Sequence, residues 1–250
     1  MAYRLAPSFC RHCGAPGVQR GRACPSCGTR STAGPAAADD GAGASRGFFS
    51  ALALFFVLLT TLLVPLAMAT EVDAAWLDRL LALDAVLVAL WVLAHRRRLA
   101  PQLTTLGRPR DWLIATAAVP LTVGVALGNV ELMHSVLGAE PIELTTMYAL
   151  AGYPLWAALL AHAVQPAVVE ELAFRGVMFE AFERVMEPRT VVIVTALMFM
   201  VLHLALLGLV FLVVMGLVLG WLRLRSGSIY PAMWLHLGHN AVMVGLDWPG

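Results

Sequence analysis

"TVVIVTALMFMVLHLALLGLVFLVVMGLVLGWL", Thr190 to Leu222, runs for 33 residues with no Asp, Glu, Lys or Arg and one histidine, His203. A helix rises about 1.5 Å per residue, and about 20 residues cross the roughly 30 Å of hydrocarbon in a bilayer. The run is too long for one crossing. A break at Leu206–Leu209, centred on Gly208, divides it into two short helices.

The same reading extends outward. Uncharged or nearly uncharged spans are expected at Phe48–Thr70, at Trp76–His95 with Asp84 inside it, at Trp112–Val130, at Leu144 to about Gln165, and at Ser228–Leu246. With the split run this predicts an all-α, polytopic membrane bundle of about seven spans. Composition agrees: 60% of the 250 residues are hydrophobic and 13% charged, against about 25% charged in soluble domains. A net charge of +1 gives no reason to expect a nucleic-acid partner. Arginines gather before the first span (six, from Arg4 to Arg46) and after the second (Arg96, Arg97, Arg98, Arg108, Arg110). More follow the fourth (Arg184, Arg189) and the sixth (Arg223, Arg225). The opposite loops carry Glu71, Asp73, Asp78, Glu131, Glu140 and Glu143, with Arg79 as the basic exception. Positive loops stay in the cytoplasm, so the N-terminus is expected inside and the C-terminus outside. The first span follows a cysteine-rich segment and starts too far along the chain for a cleaved signal peptide.

All four cysteines lie in "FCRHCGAPGVQRGRACPSCG": Cys10-x2-Cys13, ten residues, then Cys24-x2-Cys27. Two CxxC turns complete a tetrahedral four-thiolate site, so residues 1–30 are expected to form a zinc-ribbon-like domain holding a structural zinc. A reducing cytoplasmic side favours this over two disulfides. Residues 31–47, rich in Ala, Gly and Ser, read as a flexible linker, and residues 48–250 as the membrane domain.

Ionisable groups at membrane depth usually mark function. "VVEELAFRGVMFE", Val168–Glu180, places Glu170, Glu171 and Arg175 at the end of 26 uncharged residues, Leu144–Val169. Pro166 is expected to restart the helix, with the carboxylates in its first turns. Glu171 and Arg175, at i,i+4, share a face and can pair; Glu170 points elsewhere. A carboxylate in apolar surroundings suits general-base work. In "FMVLH" Phe199 lies one turn before His203 and can pack against its ring. In "HLGHN" His236 and Asn240 project the same way and could donate to one oxyanion, while His239 faces away. The plain alternatives are an interfacial helix with a solvated charged face for the glutamates, a core histidine bonded to a backbone carbonyl for His203, and an interhelical hydrogen bond for His236 and Asn240. His95, His134 and His162, near helix ends, are assigned no role.

Glu-Glu-x3-Arg, Phe-x3-His and His-x3-Asn, in this order within 71 residues, resemble the motifs of the CPBP family. These are the type II CAAX prenyl proteases and bacteriocin-processing (Abi) enzymes. The resemblance spans 144–246 and implies an intramembrane endopeptidase that acts without a covalent intermediate. It implies that Glu170 and His203 activate a water, that His236 and Asn240 hold the oxyanion, and that Glu171, Arg175 and Phe199 orient them. A catalytic zinc on Glu170, His203 and His236 is the alternative chemistry. The implied partners are a membrane-associated peptide or protein substrate and the lipid bilayer. With an Ala-, Gly- and Leu-rich composition whose basic residues are all Arg, the expected location is a bacterial inner membrane. An idle scaffold or immunity-type protein, or a transporter using Glu170 as a proton relay, would be the other classes. No internal repeat supports the transporter.

Overall fold

The computed structural model describes residues 41–138 and 144–249. The four-cysteine head and residues 31–40 of the linker lie outside them. Eight helices, with no strand among the described residues, make up the fold: α1 Gly41–Met68, α2 Ala74–Thr104, α3 Pro109–Leu137, α4 Leu144–Leu150, α5 Leu155–Phe182, α6 Pro188–Leu202, α7 Leu209–Ser226 and α8 Tyr230–Asp247. Four segments are long and apolar enough to cross a membrane, namely Gly43–Met68, Pro109–Leu137, Leu155–Phe182 and Leu206–Ser226. Large apolar side chains such as Phe56, Leu121, Trp156 and Val210 face outward along these helices, as they must where lipid is the solvent. The chain is a multi-pass helical membrane protein.

The 33-residue run folds back where its glycine stands. α6 ends at Leu202, a short 3-10 turn spans Leu206–Gly208, and α7 begins at Leu209. At 15 residues, α6 rises only about 22 Å, short of the roughly 30 Å of hydrocarbon. α6 and α7 then pack closely. A Cβ on Gly216 would come within 2.9 Å of the Ala196 backbone, and one on Gly220 within 3.2 Å of Val192. Gly216-x3-Gly220 is the small-residue spacing that lets membrane helices approach.

The fourth span differs from expectation. The chain breaks at Ala151–Pro154, with Gly152 left-handed at φ 80°, and no restart occurs at Pro166. α5 runs unbroken for 28 residues because a π-helical turn, Leu160–Val164, lies just ahead of the proline. Widening the helix there relieves the clash of the proline ring with the preceding turn. A second π-helical stretch, Leu172–Met178, contains Arg175 and Gly176.

The core gathers around this second stretch. Phe174, Met178, Phe179 and Phe182 of α5 pack with Phe199 of α6 and with Met215, Leu219 and Leu222 of α7. Arg223, read from sequence as a loop charge, is instead buried. Its Nε donates to the Arg175 carbonyl at 3.0 Å and its Nη2 to Gln102 Oε1, while Gln102 Nε2 donates to the Gly176 carbonyl at 3.3 Å. Two carbonyls of the π-helical stretch thus find donors on α7 and α2. α8 closes the bundle against α3, where Trp234 Nε1 donates to Thr116 Oγ1 at 3.0 Å.

Candidate active site

Glu170 lies 15 residues from Leu155 and 12 from Phe182, about 18 Å along α5 from its C-terminal end. His203 caps α6, which starts near that same end and rises about 22 Å. The lengthened α5 and the shortened α6 therefore bring the two residues to similar depth. Glu170 Oε2 and His203 Nε2 stand 3.8 Å apart, with 23% and 28% of their side-chain surfaces exposed. His203 Nδ1 donates to the Phe199 carbonyl at 2.8 Å. Its Nε2 is therefore the ring nitrogen that faces the carboxylate. Leu204 follows at φ 50°, a left-handed conformation costing a non-glycine residue about 1–2 kcal/mol. The break that exposes His203 is thus made against a local backbone preference.

Glu171, Arg175 and His236 lie just behind, and the first two are fully buried. Arg175 Nη1 donates to Glu171 Oε1 at 2.9 Å, and His236 Nδ1 donates to the same oxygen at 2.9 Å. Arg175 Nη2 reaches the Gly216 carbonyl at 3.0 Å. The guanidinium carbon lies 4.7 Å from the Phe199 ring centroid, and that ring lies 4.4 Å from His203 and 5.9 Å from His236. Phe199 therefore fills the space between the arginine and both histidines. One carboxylate fixes a histidine and an arginine together, and the other stands partly open beside a second histidine.

His236 and Asn240 do not share an acceptor. Asn240 Nδ2 donates to the His162 carbonyl at 2.9 Å, whereas His236 is held by Glu171. Sequence spacing placed both on one face of α8 but could not show that α5 takes up each of them separately. His239 pairs with Thr122 Oγ1 at 3.1 Å and stacks on Phe211, an interhelical packing role.

Sequence reading also missed three features. The Glu171–His236 link had no signal beyond both residues belonging to motifs. The Gly216-x3-Gly220 spacing was visible in the apolar run. Asp84, an acid within an apolar span, accepts from Thr61 Oγ1 at 3.0 Å and so ties α2 to α1.

For metal, the donor types are suitable, since Glu170, His203 and His236 offer oxygen and nitrogen. Among the described residues, however, no three His, Cys, Asp or Glu side chains converge as a ligand set. The arrangement does not fit a three-ligand catalytic zinc.

The bundle thus brings together a carboxylate–histidine pair, Glu170 and His203, and a buried carboxylate that holds an arginine and a second histidine. Residues 151–242 match the family described as Type II CAAX prenyl endopeptidase Rce1-like, over a third of the chain and including all three motifs. Over those residues the chain is similar to the CPBP, or CAAX-protease, family, a family of proteases. No curated protein and no solved structure matches it.

Proposed function

We propose that the chain is an intramembrane endopeptidase that hydrolyses a peptide bond of a membrane-associated protein or peptide with a water activated by Glu170 and His203. The observation that carries this reading is the 3.8 Å approach of Glu170 Oε2 to His203 Nε2, on two partly exposed side chains, beside a fully buried Glu171 that holds Arg175 and His236 through Oε1. Glu170 takes a proton from the water as its oxygen adds to the scissile carbonyl, and that proton passes to the leaving amine as the C–N bond breaks. His236, held through Nδ1 by Glu171, turns Nε2 toward the oxyanion and donates to it when that nitrogen carries a proton. Asn240 has a second amide hydrogen for the same oxygen. Glu171, Arg175 and Phe199 orient these groups.

In this reading the four-cysteine head lies in the cytoplasm of a bacterial cell. Cys10, Cys13, Cys24 and Cys27 hold a structural zinc there, seven spans lie in the inner membrane, and the C-terminus is outside.

The test compares membrane and secreted peptides from cells making wild-type protein or Glu170→Gln at equal expression. A peptide that accumulates uncut in the variant is the expected result and identifies the substrate. A well-inserted Glu170→Gln protein that still cleaves would overturn the mechanism. No difference between the two would favour a scaffold or immunity-type protein.

A further inference from the structure

A groove of about 760 Å³ opens between the N-terminal end of α1 and the C-terminal part of α2, lined by none of the active-site residues. That volume is within the range of small-molecule sites. Four arginines line it, Arg46 from α1 and Arg96, Arg97 and Arg98 from α2, together with His95. Among the described residues no carboxylate does. Glu180 lines a narrower adjoining cleft, where it is held by Arg184. The inner wall is fixed. His95 Nδ1 donates to the Trp91 carbonyl at 2.9 Å, its Nε2 lies 3.2 Å from Ser50 Oγ, and Trp91 Nε1 donates to that same oxygen at 3.2 Å.

A soluble acidic peptide would need only the arginines. The groove has an apolar side as well: Leu93 lines it and is 58% exposed. Val86, Leu90, Leu93 and Arg97 follow the i, i+4, i+7, i+11 rows of one helix face, with Val86 and Leu90 also outward-facing. On α1, Phe49 lies three residues beyond Arg46 and is exposed. A cationic mouth above an apolar stripe has the polarity of a phospholipid.

We infer that this groove binds the phosphate headgroup of an anionic phospholipid, with the acyl chains lying along the outward faces of α2 and α1. The site is independent of whether the chain cleaves peptides. Its adjoining cleft reaches Glu180 and Ala181 near the C-terminal end of α5, so a bound lipid would touch the helix that carries Glu170.

The experiment uses the full chain in a neutral detergent and measures binding of phosphatidylglycerol, cardiolipin, phosphatidylcholine and inorganic pyrophosphate by native mass spectrometry. Each arginine near the surface contributes about a fivefold gain in affinity for anionic lipid. R96Q/R97Q should therefore weaken binding of the anionic lipids on the order of thirtyfold. The charge-matched R110Q/R189Q, on arginines outside the groove, should change it less than about threefold. Equal losses in the two double variants would reduce the effect to diffuse charge and overturn the site. Phosphatidylcholine bound as tightly as phosphatidylglycerol would overturn it too, and so would pyrophosphate bound as tightly as either anionic lipid. The last result would make a free phosphate compound the ligand.

Discussion

Asn240 Nδ2 donates to the carbonyl oxygen of His162 at 2.9 Å, and the residue four positions after His162 is Pro166. In a regular helix the amide of residue 166 would serve that carbonyl, but proline has no N–H. Asn240 on α8 thus serves an acceptor that the sequence of α5 leaves short of a partner, and it ties the two site-bearing helices together within the π-helical turn that precedes Pro166. Asn240→Ala should cost about 1–3 kcal/mol of stability, the price of a buried acceptor left unsatisfied. In a Pro166→Ala background, where residue 166 recovers its N–H, the same substitution should cost clearly less. Thermal unfolding of the four proteins in detergent measures the coupling, and equal costs in both backgrounds would remove the backbone role.

The two adjacent glutamates should separate cleanly. Glu171 and Arg175 have no exposed side-chain surface, so Glu171→Ala leaves a buried arginine without its counter-charge and should destabilise by about 3–5 kcal/mol. Glu170, 23% exposed, should tolerate Gln with less than about 1 kcal/mol of change while losing 10²-fold or more of cleavage rate. Replacing Glu171 and Arg175 together with Met should be less damaging to stability than Glu171→Ala alone, since no charge is then stranded. Unfolding midpoints and a cleavage assay on the same preparations distinguish a supporting carboxylate from a reacting one.

The fold class and the motif-bearing helices were legible because membrane spans are written in long uncharged runs, and because i,i+4 spacing fixes which side chains share a face. Glu171–Arg175 and Phe199–His203 are such local relations, and both are present at contact distance. Gly208 marked the turn in the longest run for the same reason. What sequence could not supply was the effect of one helix on another. Pro166 signals a break when read alone, yet a π-helical turn absorbs it and the break moves to Ala151–Pro154. His236 and Asn240 look like a matched pair on α8, but α5 presents a carboxylate to one and an orphan-prone carbonyl to the other. Arg223 reads as a loop cation because nothing local shows that two π-helical carbonyls await donors.

Close helix approach gives a third prediction. Gly216→Ala would place a methyl 2.9 Å from the Ala196 backbone, which has no side chain to move aside, and its own carbonyl accepts from Arg175. The substitution should destabilise by about 1–3 kcal/mol and also lower cleavage by displacing Arg175 and, through Glu171, His236. Gly124→Ala and Gly128→Ala, where the added methyl meets nothing within 4 Å, should be neutral or slightly stabilising in α3. Unfolding midpoints of the three variants, with activity measured on each, test whether the α6–α7 contact rather than glycine content sets this behaviour.

Metal dependence can be assigned with the head in place. If the four cysteines hold zinc, the full chain carrying Cys10→Ser, Cys13→Ser, Cys24→Ser and Cys27→Ser should contain about one zinc fewer per molecule than the parent. Glu170 and His203 activate water without a metal in the proposed mechanism, so cleavage by the cysteine-free protein should withstand a strong chelator. The cysteine substitutions make that reading unambiguous, because zinc lost from the head can no longer be confused with zinc lost from the membrane site. Elemental analysis gives the stoichiometry and a cleavage assay with and without chelator gives the dependence. Chelator inhibition reversed by added zinc in the cysteine-free chain would instead place a metal among Glu170, His203 and His236, and would require those side chains to close on one another when metal or substrate binds.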